Sequence, residues 1–328
     1  MAPRYLHVAN GHATTELLER SAVPGRLMVW ADSLYDGPVP GDVSDDELLR
    51  VRARYHAATW GDADDIAAGF EASYAAVADE DAFDELVLWF EHDLFDQLNL
   101  IQLLTHLRSV RVPRKPVSLI SINAYPGHTG FKGLGELQPV DLAQLFEKRA
   151  EVADEQLALA QRAWQAYRSV DPRAIEALLD TDTSALPFLA PALRRHLEEF
   201  PSAENGLSRS EQRLMEQAVG APADLHHLFP RMHDGETAYY ITDTSLWDRA
   251  NELATASPPL ATVTVIEPRP LALPKGTIAL TAAGRDVLAG RADRVRLCGI
   301  DRWFGGVRVE GTGPAWRWSS RDGRLIVA

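Results

Sequence analysis

The stretch LVLWFEHDLFDQLNLIQLL, residues 86–104, constrains the fold more than any other part of the chain. Its first five residues, 86–90, are all apolar, as in a strand buried on both faces. Glu91-His92-Asp93 follows at once, and then a leucine-rich helical pattern over 94–108 that carries Asp96, Gln97 and Asn99. A buried strand leading straight into a helix is the first half of a strand–helix–strand unit, so its neighbours should run parallel to it. What has to be explained is three ionisable groups in a row at the junction.

The flanking sequence supplies the neighbours. Residues 5–9 read as a short apolar strand broken by Asn10-Gly11, and 12–20 as a helix. Pro24-Gly25 precedes a second strand at 26–31, and PVSLISI at 116–122 is a fourth. This alternation predicts an α/β fold with a mostly parallel, Rossmann-like sheet covered by helices on both faces. The acidic stretch 44–79 reads as a helical insertion, with Ser44 and Glu47 spaced for a capping box. A glycine-rich loop, NAYPGHTGFKGLG, follows at 123–135, and short helices are expected at 140–148, 154–168, 172–179 and 191–200. The division expected is an α/β domain at 1–138, a helical connector at 139–205 and a third region at 206–328.

That third region has its own order. Ser208-Arg209-Ser210-Glu211 has the form of a capping box and opens a helix to about Val219. Helices at 223–229 and 244–253 follow, the latter with Asp243 as N-cap. Strands at 261–266 and 277–281 and a helix at 282–289 complete the order of a winged helix. Residues 307–309 and 316–318 are expected to pair as a terminal hairpin. The run Asp301-Arg302-Trp303-Phe304-Gly305-Gly306 is expected to pack that hairpin on the core, with Asp301-Arg302 as a surface pair. His196 reads as a solvated helix end, and Cys298 as part of an arginine-rich strand.

Charge and cysteine content narrow the function. Cys298 is the single cysteine, so an internal disulfide framework is excluded and a reducing compartment fits. With no basic-then-apolar start and no apolar run of about 18 residues, the expectation is a soluble, cytoplasmic protein without a membrane partner. The net charge of −14 opposes non-specific binding to nucleic acid or an anionic surface. From Ala261 onward there are 11 Lys+Arg against 6 Asp+Glu, a net of +5 that leaves residues 1–260 at −19. The third helix of the winged-helix pattern carries Asp243, Asp248 and Glu252 against Arg249, the wrong sign for an element that enters a DNA groove.

Open parallel sheets bind ligands beyond the carboxyl ends of their strands. Asn10, Gly11 and His12 lie beyond strand one, Asp32 and Asp36 beyond strand two, Glu91, His92 and Asp93 beyond strand three, and Asn123 beyond strand four. Asp93 is also a natural N-cap, and Asp96 would complement the helix terminus. That explains less about Glu91 and His92, so Glu91, His92 and Asp96 are the candidate acid–base residues. Asn10, Gly11, His12, Asp32, Asp36, Asp93, Gln97 and Asn123 are the candidate ligand contacts. Glu91, His92, Asp93 and Asp96 could instead hold a divalent metal or a cationic group, although the spacing matches no dedicated metal motif. The turn at Asn10-Gly11 could present amides to a phosphate, with Asp32 placed for a ribose, but it has one glycine where the dinucleotide fingerprint has three. There is no Gly-x-Ser-x-Gly elbow and no Walker loop.

The segments LHVANGHATTELL, VWADSLYDGPVP and LVLWFEHDLFDQLNLIQLL resemble the bacterial domain-of-unknown-function family 1835. So do GLGEL, TSALPFLAPALRRHLEEFPSAENGLSRSE and LTAAGRDVLAGRAD with GIDRWFGGV, which are similar to the family's longer members. The resemblance implies a soluble bacterial protein with this layout, and no activity. The family usually reads Asn-Gly-Asp-Ser where this chain has Asn10-Gly11-His12-Ala13, so the acid and hydroxyl of that turn are missing here. Two functional readings stand. One is an enzyme or binding protein for a phosphate- or nucleotide-like small molecule at the strand ends. The other is a ligand-sensing regulator, or a protein-interaction module, working through the winged helix. A protein partner or a homo-oligomer is compatible with either.

Overall fold

Strands β1 (Tyr5–Ala9), β2 (Arg26–Val29), β3 (Glu85–Glu91) and β4 (Val117–Ile122) pair in parallel in the order β2-β1-β3-β4. Register places Leu6 beside Arg26 and Leu86, and Leu86 beside Val117. A two-residue strand, β5 (Ala150–Glu151), closes one edge antiparallel to β4. The computed structural model describes residues 3–79, 81–110, 115–269 and 272–328, which belong to two units, Met1–Ala192 and Leu193–Ala328. The mostly parallel α/β sheet expected from the sequence is therefore present in the first unit.

β3 is central and buried from Leu86 onward. Alternate side chains of a strand face opposite ways, so both faces of the sheet are covered. The helices of this unit are α1 (His12–Glu19), α2 (Asp45–Trp60), α3 (Ala63–Ala78), α4 (Leu94–Ser109), α5 (Pro139–Phe146), α6 (Asp154–Tyr167) and α7 (Arg173–Leu179). α6 lies along α4, and α5 lies against α1. One core runs through Ala9, Leu18, Val87, Trp89, Ile120, Leu134 and Leu142. The chain leaves this unit within α8 (Leu189–Leu197), so residues 139–192 belong with the sheet and do not form a separate connector.

Two local readings need correction here. β2 ends at Val29, two residues early: Trp30 N–H still donates to the Ala9 carbonyl (2.8 Å), but the chain then turns away. Ser44 caps α2 by accepting the Glu47 N–H (3.2 Å), yet Glu47 sends its carboxylate to Arg54 (2.8 Å) and not back to the cap. The segment after β2 is held by α6. Tyr167 Oη donates to the Leu34 carbonyl (2.6 Å), and Arg168 donates to the carbonyls of Pro40 (2.9 Å) and Val43 (2.8 Å).

The second unit contains α9 (Arg209–Gln217), β6 (Ala223–Asp224), α10 (Leu225–Met232), α11 (Asp243–Thr255), β7 (Ala261–Glu267), β8 (Lys275–Leu280), α12 (Ala282–Leu288) and α13 (Arg294–Cys298). β6, β8 and β7 form an antiparallel sheet with β8 in the middle. Residues 223–229 thus begin as strand and only then become helix. The N-cap of α11 is Thr242, one residue before the aspartate expected, and Asp243 Oδ2 accepts the Leu273 N–H (3.3 Å) instead. Cys298 ends a short helix, not a strand. His196 is buried against Phe200, not solvated, and burial pulls its imidazole down to about 4.

The tail makes two hairpins where one was expected. β9 (Ile300–Phe304) pairs with β10 (Val307–Gly311), and β11 (Trp316–Ser319) with β12 (Arg324–Val327). Phe304 faces Val307 across Gly305-Gly306, a two-residue turn in which Gly305 takes φ 63°. Phe304 stacks on Phe200 at 4.4 Å, as the packing reading expected. Asp301 pairs with Arg308 (2.8 Å), while Arg302 turns inward to Glu211 (2.9 Å).

Glu211 is the polar centre of this unit. It accepts the Ser208 N–H (2.8 Å), completing the expected capping box, and it also meets Arg294 at 3.4 Å. Burial opposes its charge, but Arg302 and Arg294 prevail and hold it at about 2. Removing one partner of a buried pair leaves the other charge unpaired, at a cost of about 3–5 kcal/mol. Glu211→Gln is expected to lose that much in urea unfolding followed by tryptophan fluorescence. A loss below about 1 kcal/mol would mean that Glu252, the other carboxylate on Arg302, compensates alone.

Candidate functional site

The carboxyl ends of β1 and β3 meet the start of α4 in a buried polar knot. Asp93 is the N-cap of α4, its Oδ1 accepting the Asp96 N–H (3.0 Å). Asp96 turns back to the sheet, where Oδ1 accepts the Glu91 N–H (2.5 Å) and Oδ2 accepts Asn10 Nδ2 (2.8 Å). Thr14 donates to Asn10 Oδ1 (3.3 Å), which fixes the amide so that its NH₂ faces the acids. Gln97 Nε2 donates to the Glu91 carbonyl (2.6 Å). The loop after β4 closes the knot: Leu134 N–H donates to Glu91 Oε1 (2.5 Å) at the 3-10 turn Leu134–Glu136.

Gly133 is required by this contact. A Cβ at that position would lie 2.2 Å from Glu91 Oε2. The carboxyl is buried and held by Leu134, so it has nowhere to retreat.

Three carboxyls in one buried place cannot all ionise, and they titrate as a set. Burial, with Asp93 beside it, pushes Glu91 up to about 8, although the Leu134 N–H and Asn10 oppose the rise. Burial pushes Asp93 up to about 6. Burial and the neighbouring Glu91 and Asp93 push Asp96 well above the usual carboxylate range. The knot therefore keeps acidic protons near neutral pH, which suits proton donation or a hydrogen bond from a neutral acid.

Of the candidate residues, Asn10, Glu91, Asp93, Asp96 and Gln97 are brought together. The rest are placed differently. Gly11 precedes α1 as its N-cap, and His12 and Asn123 are exposed. His92 is buried, with the Ile122 carbonyl as a hydrogen-bond partner and the rings of Phe131 and Phe188 at 6.4 and 6.1 Å. Burial lowers its pKa, and the position gives it a packing role in addition to any chemical one. Asp36 is half-buried and offers its backbone carbonyl to Arg52 (2.7 Å).

Asp32 is committed to other partners. Its backbone N–H and carbonyl are both held by the Asn99 side chain (2.9 Å each), and its carboxylate is bound by Arg52 (2.6 Å) and His56 (2.7 Å). Burial opposes the charge, but Arg52 and His56 overcome it and hold Asp32 at about 2. Arg52 and His56 were not among the residues singled out. Their signal was their four-residue spacing, which puts both on one face of α2. Gly133 and Leu134 were also missed, since a glycine in a loop normally signals only a turn.

Among the described residues no group of three or more His, Cys, Asp and Glu is arranged to hold an ion. Both Asp96 oxygens already face N–H donors, which a cation would have to displace. No helix among the described residues is long and apolar enough to cross a membrane. No family model and no curated protein matches the chain.

The titration has a predictable sign. Glu91 and Asp93 are raised in the folded state, so the fold binds more protons than the unfolded chain. Their contribution is full below the unfolded carboxyl range and is lost as pH rises through about 6 and then about 8. Asp32 and Glu211, held at about 2, act in the opposite sense and lose their contribution only in acid. The melting temperature should therefore fall between about pH 5 and about pH 9. Glu91→Gln keeps an acceptor for Leu134 and should flatten the upper part of that slope. An unchanged slope in the variant would assign the titration elsewhere.

Proposed function

We propose that the first unit binds a small molecule at the carboxyl ends of β1 and β3, with Glu91, Asp93 and Asp96 as its acid–base groups. One arrangement carries this: three buried carboxyls, each raised by burial, meet at the place where open parallel sheets take their ligands. A phosphate- or nucleotide-like ligand is the class that the Asn10-Gly11 turn and the start of α1 suit. Protonated carboxyls would not repel such an anion, and could donate to it. Asn10 serves both sides, since it belongs to the turn and bonds Asp96. Membership of the family 1835 layout, drawn from the sequence resemblance, is part of the same proposal, as is a cytoplasmic setting.

The test is thermal unfolding with inorganic phosphate, ribose 5-phosphate or AMP. A ligand at about 100 times its Kd stabilises by about 2.7 kcal/mol. At least one is expected to raise the melting temperature, and Asn10→Ala is expected to abolish the shift. If none of the three shifts the transition at millimolar concentration, the phosphate-like class is wrong. If Asn10→Ala responds like the unmodified chain, the rim is the wrong place.

A second reading rests on the other unit. The succession α9, β6, α10, α11, β7, β8, with β8 between β6 and β7, supports a winged-helix-like reading of residues 208–290. A regulator would use α11 as its reading helix. The one cation of α11, Arg249, is buried and paired with Glu252 (3.0 Å), while Asp248 and Asn251 are exposed. That surface favours a protein contact over nucleic acid. No tight duplex binding is expected at about 150 mM salt. Nanomolar, sequence-selective binding in a polarisation assay would reverse the order of the two readings.

A further inference from the structure

With Arg52 and His56, Asp32 builds a second polar group. His56 Nε2 lies 2.7 Å from Asp32 Oδ1 and 3.2 Å from Arg52 Nη2; a nitrogen that donates to Asp32 cannot also accept from Arg52, so only the first is a hydrogen bond. Asp32 is ionised, so the shorter contact is an Nε2–H donating to a carboxylate. In the neutral ring that tautomer leaves Nδ1 as a lone-pair acceptor. His56 lines a cavity of about 250 Å³ with Ala31, Ser33, Trp60, Ile66, Phe70 and Phe95. Phe70 meets the imidazole edge-on at 6.2 Å. Trp60, at the end of α2, is 53% exposed, a large apolar ring at the mouth of an apolar space.

The polar floor is built to stay in place. Arg52 is fully buried and also donates to the carbonyls of Ser33 (3.0 Å) and Asp36 (2.7 Å). Asn99 holds the Asp32 backbone from the opposite side.

We propose that this cavity is a binding site for a planar aromatic or heteroaromatic small molecule bearing one N–H or O–H donor, which His56 Nδ1 accepts. A dry cavity of about 150 Å³ is enough for benzene, so this one has room for a fused bicycle. The aromatic walls supply stacking faces and edges. The single acceptor supplies orientation: a ring with a donor satisfies His56, while a ring without one takes its water and returns nothing. The site is separate from the carboxyl knot of the strand ends and does not depend on its function.

Indole and benzofuran test this directly, since they share a bicyclic shape and differ in the N–H. With the full chain, calorimetry or ligand-observed NMR is expected to show indole binding at least about 10-fold more tightly than benzofuran. This comparison needs no variant, so it stands whether or not the α2 substitutions fold well. His56→Phe is expected to remove the preference, and Glu91→Gln to leave it intact. Equal affinity for the two rings, a preference for benzofuran, or no binding of either at about 10 mM would overturn the proposal.

Discussion

Helix α4 has no solvent face to spare, yet it carries Asp96, Gln97, Asn99 and Gln102, all buried. A buried polar group without a partner costs about 1–3 kcal/mol, so each of these side chains has to find one. The nearest supply is the row of strand ends. Asp96 takes the Glu91 N–H and the Asn10 amide, Gln97 takes the Glu91 carbonyl, Asn99 takes both backbone groups of Asp32, and Gln102 accepts Trp30 Nε1 at 3.1 Å. One helix thereby ties the carboxyl ends of β1, β2 and β3 to itself. The acidic junction that interrupts the apolar run at Glu91 is the first turn of this arrangement.

That requirement decides what was legible in the sequence. The apolar run of β3 and the leucine spacing of α4 are local patterns, and they carried the parallel sheet and the meeting of Asn10, Glu91 and Asp96. Asp32 could be placed at the end of β2 but not oriented, because its partners Arg52 and His56 lie in a helix whose docking no local pattern records. Gly133 escaped for the same reason: what makes it necessary is the Glu91 carboxyl, 42 residues earlier in the chain. The second hairpin of the tail was hidden by a simpler error of range. The glycine pair at 305–306 marks a two-residue turn, and reading it as one would have paired β9 with β10.

The two units treat buried charge in different ways. In the second, Glu211 faces Arg302 and Arg294, and Glu236 faces Arg195 at 3.1 Å, so buried carboxyl groups sit beside cations. Asp32 in the first unit follows the same rule with Arg52. The knot of Glu91, Asp93 and Asp96 does not, since amides surround it and only protons are left to neutralise it. Buried pairs of the first kind are compatible with a purely structural role. A cluster that must hold protons to remain buried is a less economical way to fasten a helix, because apolar residues or a single cap would serve.

The contrast bears on where chemistry belongs in the first unit. An ion pair such as Asp32–Arg52 is locked: neither partner can change its charge near neutral pH without stranding the other. The carboxyl knot is the opposite case, since burial and the repulsion between its own carboxyls hold its protons, with no cation to lock them. His56 stands between the two, anchored through Nε2 to a locked pair and lining a cavity. The anchored ring has a fixed direction, while the knot consists of groups whose protonation can change near neutral pH. Both are reached from one helix: Asp96 enters the knot, and Asn99, about one turn on, holds the Asp32 backbone whose carboxylate anchors His56.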